Sequence, residues 1–369
     1  MTLKSRAEVL VARAGIEIDG PNPWDPQVHD ERLYGRVIKE GTLGLGEAYM
    51  DGWWDVPKLD QFFERVLGAD LDEDLTPFQQ WLRSTWHKLY NFQSQARAFQ
   101  VGEQHYDLGN DLYEGMLDKR LVYTCGYWKD SKTLDEAQEA KLDLVCRKLN
   151  FKPGDRVLDI GCGWGSFTKY AAEKYGVEAV GITVSKEQAA LARELCAGLP
   201  VEIRVQDYRD VRERFDHIVS LGMFEHVGRK NYREYMEVAR RCLKEDGLFL
   251  LHTIGGNRSS SPPDAWMDKY IFPNGVVPSL KEIARAIEGV FIMEDWHNFG
   301  SNYDRTLMAW HANFERSWPG LRDKYGDRFK RMWDYYLLQC AGVFRARKNQ
   351  LWQIVLSPNG VPGGYTPVR

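Results

Sequence analysis

From about residue 105 onward, short apolar runs alternate with stretches in which apolar positions recur every three to four residues. The runs at 157–160, 179–183, 201–205, 217–220 and 248–252 have strand length and lie between turn-forming residues. Strands alternating with helices predict a parallel, doubly wound sheet with its ligands at the carboxyl edge.

Upstream the texture differs. Residues 1–75 read as short helices broken by turns, with helical spacing at 5–14 and 59–67 and a break at Gly20, Pro21, Asn22 and Pro23. This predicts a small all-helical N-terminal domain. The stretch holding Gly41, Gly44 and Gly46 has the look of a nucleotide loop. It lacks the third glycine at the required spacing and no strand precedes it, so the phosphate-loop reading is weak.

Residues 76–104 form a bridging segment before a catalytic domain at 105–369. Between Leu75 and Gly102 there is no acidic residue, while Arg83, Lys88 and Arg97 interleave with Phe78, Trp81, Trp86, Tyr90, Phe92 and Phe99. Phe78, Trp81, Leu82, Thr85 and Leu89 share one helical face. The pattern suits an amphipathic helix lying on anionic lipid headgroups, or equally a domain-bridging helix whose charges are merely solvated. A second basic, aromatic stretch runs from Arg328 to Lys348, with Asp334 as its single acid. Two such segments favour a membrane-surface reading more than either would alone.

Composition narrows the classes. The 369 residues carry 49 Lys+Arg and 53 Asp+Glu, a net charge of -4, which excludes a wholly basic nucleic-acid surface. No apolar run approaches the roughly 20 residues that cross a bilayer, and the opening residues carry no secretory pattern. A cytoplasmic protein is expected. Cys125, Cys146, Cys162, Cys196, Cys242 and Cys340 form no CxxC pair, and the histidines form no HxxxH pair, so neither disulfides nor a metal site is expected. The 13 Trp, 18 Tyr and 16 Phe suit a protein handling apolar or interfacial ligands, although a large core also uses them.

The strongest local signal is Gly161, Gly163 and Gly165 directly after the first strand of the alternating region, with Asp159 two residues before the first glycine. Glycines there let the backbone turn sharply and approach a ligand, and the following helix presents its N-terminus. A dinucleotide site would use GxGxxG and a ribose-binding acid at the end of the second strand. Here the spacing is GxGxG and the second strand ends in Thr183. The arrangement resembles the first motif of Rossmann-like methyltransferases that use S-adenosylmethionine. Thr183 and Gln188 could then bond hydroxyls without charge, and Gln206, Asp207 and Tyr208 follow the third strand where an adenine would lie.

Further strings make the resemblance specific. They run from Glu103 to Asp111, Tyr123 to Trp128, Gly222 to Gly228, Leu251 to Gly255, Lys269 to Gly275 and Glu294 to Gly300. In this order they resemble the cyclopropane-fatty-acyl-phospholipid synthases over nearly the whole chain. The resemblance implies an α/β, Rossmann-like class I methyltransferase fold with a small all-helical N-terminal domain. It implies methylene transfer from S-adenosylmethionine to the cis double bond of an unsaturated acyl chain in membrane phospholipid. An unactivated alkene is a poor nucleophile, so the sulfonium methyl must be held close to it in a site without water, and a base must then take a proton from the new methyl.

In this family the base is a bound bicarbonate ion, whose cage maps onto Cys125, Glu225, His252, Tyr303 and the backbone of Ile254. Taken singly, Glu225 and His252 could be satisfied structural polars and Cys125 a small buried hydrophobe. Cys340 is a conceivable covalent nucleophile, but the chemistry needs none, and its apolar neighbours favour a helix-packing thiol. The resemblance also implies that Tyr123 and Thr124 lie at the methionine end of the cofactor, that unsaturated phospholipids at the inner membrane face are partners, that nucleic acid is not, and that the protein is a homodimer. Methyl transfer to another lipid or a soluble small molecule, and a non-catalytic lipid-binding module, remain the alternatives.

Overall fold

The computed structural model describes residues 2–71, 109–259 and 263–369. In chain order the helices are α1 (Leu3–Ala12), α2 (Arg32–Glu40), α3 (Thr42–Met50), α4 (Leu59–Gly68), α5 (Asn110–Met116), α6 (Leu134–Lys148), α7 (Ser166–Tyr175) and α8 (Lys186–Leu195). They continue with α9 (Tyr232–Cys242), α10 (Ala265–Tyr270), α11 (Leu280–Ile287), α12 (Ser301–Tyr325) and α13 (Asp327–Arg345). The strands of the main sheet are β1 (Arg156–Ile160), β2 (Glu178–Thr183), β3 (Val201–Val205), β4 (Phe215–Leu221), β5 (Leu243–Gly256), β6 (Ile292–Asn298) and β7 (Asn349–Ser357). The basic aromatic segment at 76–104 lies outside the described residues. Among the described residues no helix is long and apolar enough to cross a membrane.

The chain divides into two compact units. The second, described at residues 109–259, 274–302 and 350–369, is built on the sheet in the order β3-β2-β1-β4-β5-β7-β6. Strands β1 to β5 pair in parallel, and β6 pairs antiparallel with β7. All five expected strands form. Alternate residues face opposite layers, as a period of two requires. Val157, Val219 and Leu250 pack with Leu142, Phe167 and Ala171 of α6 and α7, while Leu158, Ile218 and Phe249 pack with Met236 of α9 and Ile283 of α11. With both faces covered, the strands read as unbroken apolar runs. Chain order reverses between β1 and β4, which makes a topological switch point at their carboxyl ends.

Strands β6 and β7 were not among the expected elements. Residues 349–357 are almost wholly buried, and Leu351, Trp352, Ile354, Val355 and Leu356 carry a strand signal hidden by the basic residues just before it. Strand β6 is polar, with Glu294, Asp295, His297 and Asn298, so no apolar run marks it.

The first unit is described at residues 2–71, 263–273 and 303–349. Its N-terminal helices therefore share a unit with α10, α13 and nearly all of α12. Its core is aromatic: Tyr335 packs against Tyr49, Phe63 and Trp266 at centroid distances of 5.5, 5.2 and 4.5 Å. Gly41 to Gly46 leads into and forms part of α3 rather than a loop, and a Cβ on Gly46 would stand 2.4 Å from the Trp266 ring, so that glycine serves close packing.

The second basic segment lies in the first unit. It is the core helix α13, and its cations bind inside the unit: Arg328 to Asp51, Lys330 to Asp334, Arg331 to Asp55, Arg345 to Asp60 and Asp304, and Lys348 to Asp70. These charges have acidic partners in the same unit, and the Arg328 side chain stays 54% exposed while paired.

Candidate active site

The glycine turn closes β1 at the switch point. Gly161 and Cys162 donate their N–H groups to the Ile182 carbonyl at 2.9 and 3.0 Å, tying the turn to β2. Gly161, Gly163 and Gly165 have φ of +87°, +54° and +79°, a region that side chains rarely adopt. A Cβ on Gly161 would meet Met223 at 2.7 Å, and one on Gly165 would meet the Cys196 Sγ at 3.1 Å. One on Gly163 would meet nothing within 4 Å among the described residues. Gly161 and Gly165 thus serve packing, while Gly163 keeps open the space that a ligand needs, beside the N-terminus of α7.

The expected cofactor residues divide into two groups. Asp159, at the end of β1, is buried, and its Oδ1 has no hydrogen-bond partner among the described residues. Burial pushes its carboxyl up to about 7, against the pull of the Lys141 charge. Thr183 donates to Gln188 Oε1 at 3.0 Å, so these two form one hydroxyl–amide pair beside α8. Gln206 is half-buried, and its N–H donates to the Thr183 carbonyl at 3.0 Å, placing it at the same edge. Tyr123 meets Tyr113 edge-on at 5.3 Å, and Tyr113 packs on Trp164 of the glycine turn at 4.9 Å.

The other two are committed to structure. The Asp207 carboxylate accepts from the Arg209 N–H at 2.9 Å and from its guanidinium, which caps the short turn at 208–210. The Tyr208 ring lies in the core, edge-on to Tyr235 at 5.0 Å and covered by the Arg209 guanidinium at 4.6 Å. The Tyr208 hydroxyl is buried with no hydrogen-bond partner among the described residues.

The residues expected to act on a proton converge at the ends of β4 and β5. Glu225 Oε1 accepts the Ile254 N–H at 2.6 Å, while Oε2 is buried without a partner among the described residues. Burial pushes Glu225 up to about 7, so near neutrality it can hold or release a proton. The backbone of Ile254 thus meets Glu225 through its N–H. Gly222 donates to the His252 carbonyl at 2.9 Å, linking the two strand ends. His252 is driven well below its usual pKa, first by burial and then by the Lys141 and Lys148 charges, and is therefore neutral. Its Nδ1 faces Gln353 Nε2 at 3.3 Å; with the amide donating there, the imidazole proton lies on Nε2, which has no partner among the described residues. Phe299 covers the ring at 6.0 Å. The Cys125 thiol, fully buried, donates to the Gly126 carbonyl at 3.3 Å.

Two expected residues belong to the first unit. Tyr303 packs on Phe344 at 4.6 Å and edge-on to Trp310 at 5.9 Å. Burial pushes the Cys340 thiol up to about 12, which disfavours the thiolate a nucleophile needs.

Two polar participants escaped the sequence reading. Gln353 sits in the unforeseen strand β7. Lys141 lies on α6 between apolar residues, and its Nζ donates to Thr124 Oγ1 at 2.8 Å. A lysine at a helix position facing the core was the available signal.

Known proteins share this arrangement. The family model described as mycolic acid cyclopropane synthetase matches residues 93–354. Cyclopropane-fatty-acyl-phospholipid synthase of Escherichia coli strain K12 is 54% identical over 364 residues, covering 98% of this chain and 95% of its own. The cyclopropane synthase MmaA2 from Mycobacterium tuberculosis superposes with a TM-score of 0.66 at 30% identity, over 70% of this chain and 97% of its own. Mycolic acid cyclopropane synthase CmaA1, solved with SAH and CTAB, gives a TM-score of 0.64 at 32% identity over the same shares.

Proposed function

Because the chain belongs to the mycolic acid cyclopropane synthetase family, we propose that it adds a methylene group from S-adenosylmethionine across the cis double bond of an unsaturated acyl chain in membrane phospholipid. The observation that carries this reading is the pair of buried, unpartnered polar atoms, Glu225 Oε2 and His252 Nε2, at the carboxyl ends of β4 and β5. Buried polar atoms are almost always bonded, so two together call for a small polar occupant. S-adenosylmethionine, when bound, supplies an electrophilic methyl on a positively charged sulfur.

The chain's own residues do the rest. Gly163 leaves room for the cofactor, Asp159 offers a carboxylate near the turn, and the Thr183 and Gln188 pair offers hydroxyl and amide dipoles. His252 Nε2 can donate to an anion, and Glu225 Oε2 can accept a proton from it. A bicarbonate ion fits that donor and acceptor set, with the buried Cys125 thiol in the same unit and Ile254 steadying Glu225. Phe299, Tyr127 and the apolar core exclude water, which would otherwise quench an electron-deficient carbon. Membrane access is peripheral in this reading, since the acyl chain must be drawn from a bilayer. The cationic, aromatic composition of segment 76–104 suits that contact.

The test is incubation of pure protein with S-adenosylmethionine and vesicles of a monounsaturated phosphatidylglycerol, followed by mass spectrometry and alkene analysis of the released fatty acids. The expected product gains one CH2 and loses its double bond. A product that gains CH2 with the alkene intact, or no S-adenosylhomocysteine at all, would overturn the reading.

A further inference from the structure

The proposed reaction leaves one fully buried charge unused. Lys141 is 0% exposed, and no carboxylate among the described residues lies within ion-pair distance of it. Its one hydrogen bond there is to Thr124 Oγ1 at 2.8 Å, so an ammonium with three donors meets a single neutral hydroxyl. Burying an unpaired ammonium is costly, and a lysine kept only for stability would be better replaced by an apolar residue.

Its surroundings indicate its task. The groups that feel its charge are Asp118, Cys125 and Asp159, which it draws toward ionisation, and His252, which it repels. Of these, Asp118 is already held by the Val122 and Arg120 N–H groups at 2.8 and 3.0 Å. Asp159 has an oxygen with no partner among the described residues, so a buried carboxylate and a buried ammonium sense each other without pairing. Thr124 is wedged on its other side: a Cβ on Gly222 would stand 2.6 Å from Thr124 Cγ2. Through Thr124, Lys141 therefore reaches the turn at Gly222 that leads to Glu225.

We propose that Lys141 is a positioning residue for the transfer reaction, fixing the Thr124 hydroxyl from the buried face of α6 beside the turn at Gly222. The inference rests on the transfer reading. Burial brings Lys141 down to about 8, which leaves it charged at neutral pH. The Thr124 contact matters for geometry, because that residue precedes Cys125 and touches the turn at Gly222.

The experiment compares wild type with Lys141→Met, Thr124→Val and the double variant. Calorimetric binding of S-adenosylhomocysteine is measured first, then kcat and KM with vesicles, the pH profile of kcat/KM, and thermal melting. Lys141→Met is expected to melt no lower than wild type, since it removes an unpaired buried charge, yet to weaken S-adenosylhomocysteine binding about tenfold or more. Its KM for S-adenosylmethionine should rise with the lipid KM unchanged. The acid limb of kcat/KM should move to higher pH, because Asp159 loses the charge that favours its ionised form. Thr124→Val should weaken binding less, and the double variant should be no worse than Lys141→Met.

Binding within twofold of wild type in a folded Lys141→Met, or fully additive effects in the double variant, would overturn the proposal. Should Lys141→Met fail to fold, unaltered binding in Thr124→Val overturns it and weakened binding supports it. The binding arm needs no lipid. If vesicles yield no cyclopropane while binding still depends on Lys141, the transfer reading fails and the positioning role stands.

Discussion

Glu225 concentrates the local physics. Its backbone accepts the Val276 N–H, one carboxyl oxygen accepts the Ile254 N–H, and the other is left bare in the interior. Glu225→Gln keeps the shape and the Ile254 contact while removing the ability to exchange a proton. Ring formation should fall at least about a hundredfold with S-adenosylhomocysteine affinity near wild type, a drop typical of losing a positioned acid or base. Wild-type turnover in that variant would dismiss the assignment. Stability should move the other way. Below 4.5 the carboxyl is protonated in both folded and unfolded chains, but between there and about 7 the unfolded chain releases a proton that the folded one keeps. The group therefore costs stability as pH rises through that window, to about 3 kcal/mol at its upper end. Glu225→Gln should flatten this fall, seen as a smaller pH dependence of the urea midpoint, and an unchanged slope would contradict the burial argument.

At the scale of elements, the site depends on how β5 meets β7. A Cβ on Gly255 would lie 2.0 to 2.3 Å from three atoms of the Trp352 ring, which fills the space against the strand. Neighbouring Ile254 holds Glu225, and Gln353, next to Trp352, holds His252. One glycine thus lets two strands approach closely enough to orient both proton-handling side chains. Gly255→Ala should cost about 2 kcal/mol through overpacking and lower activity further by shifting Ile254. Chemical denaturation with a vesicle assay checks both, and a variant as stable and as active as wild type would refute the packing account. This coupling was partly legible. The glycine turn and the first five strands stand out because apolar period and turn residues coincide. Strand β6 is polar, and β7 follows a basic helix, so neither local pattern announced its place in the sheet.

On the scale of the whole molecule, the two units rest on different chemistry. In the first unit, Glu47 is pushed up by burial but brought down to about 2 overall by hydrogen bonds from Lys269, Tyr270 and Arg36. Asp334 is likewise held low by His311 and Lys330 despite its burial. In the second unit, burial raises Asp118, Asp159 and Glu225, with Asp295 as the buried exception held low by Arg369 and Lys148. A lowered carboxyl contributes stability above its unfolded value, and that contribution fades as pH falls through the folded one. As acid rises from about pH 4.5 toward 2, the first unit should lose Glu47's share, while Asp159 and Glu225 of the second are already protonated and change nothing. Hydrogen exchange across that range should deprotect peptides of the first unit before those of the second, and the reverse order would count against this division.

The amino-acid sequence alone determined the class of sheet and the glycine turn after β1, because these depend on local period and backbone freedom, while the strings around Glu225 and His252 were legible only as a family resemblance. Tertiary structure decided what those side chains can do. It spent Asp207 and Tyr208 on capping and core, paired a basic helix with acids of its own unit, and set Gln353 behind His252. It also buried the Lys141 ammonium with the Thr124 hydroxyl as its one hydrogen-bond partner among the described residues. Each outcome depends on which distant residue shares a buried space, and burial and partner distance, rather than residue type, set hydrogen bonding and protonation.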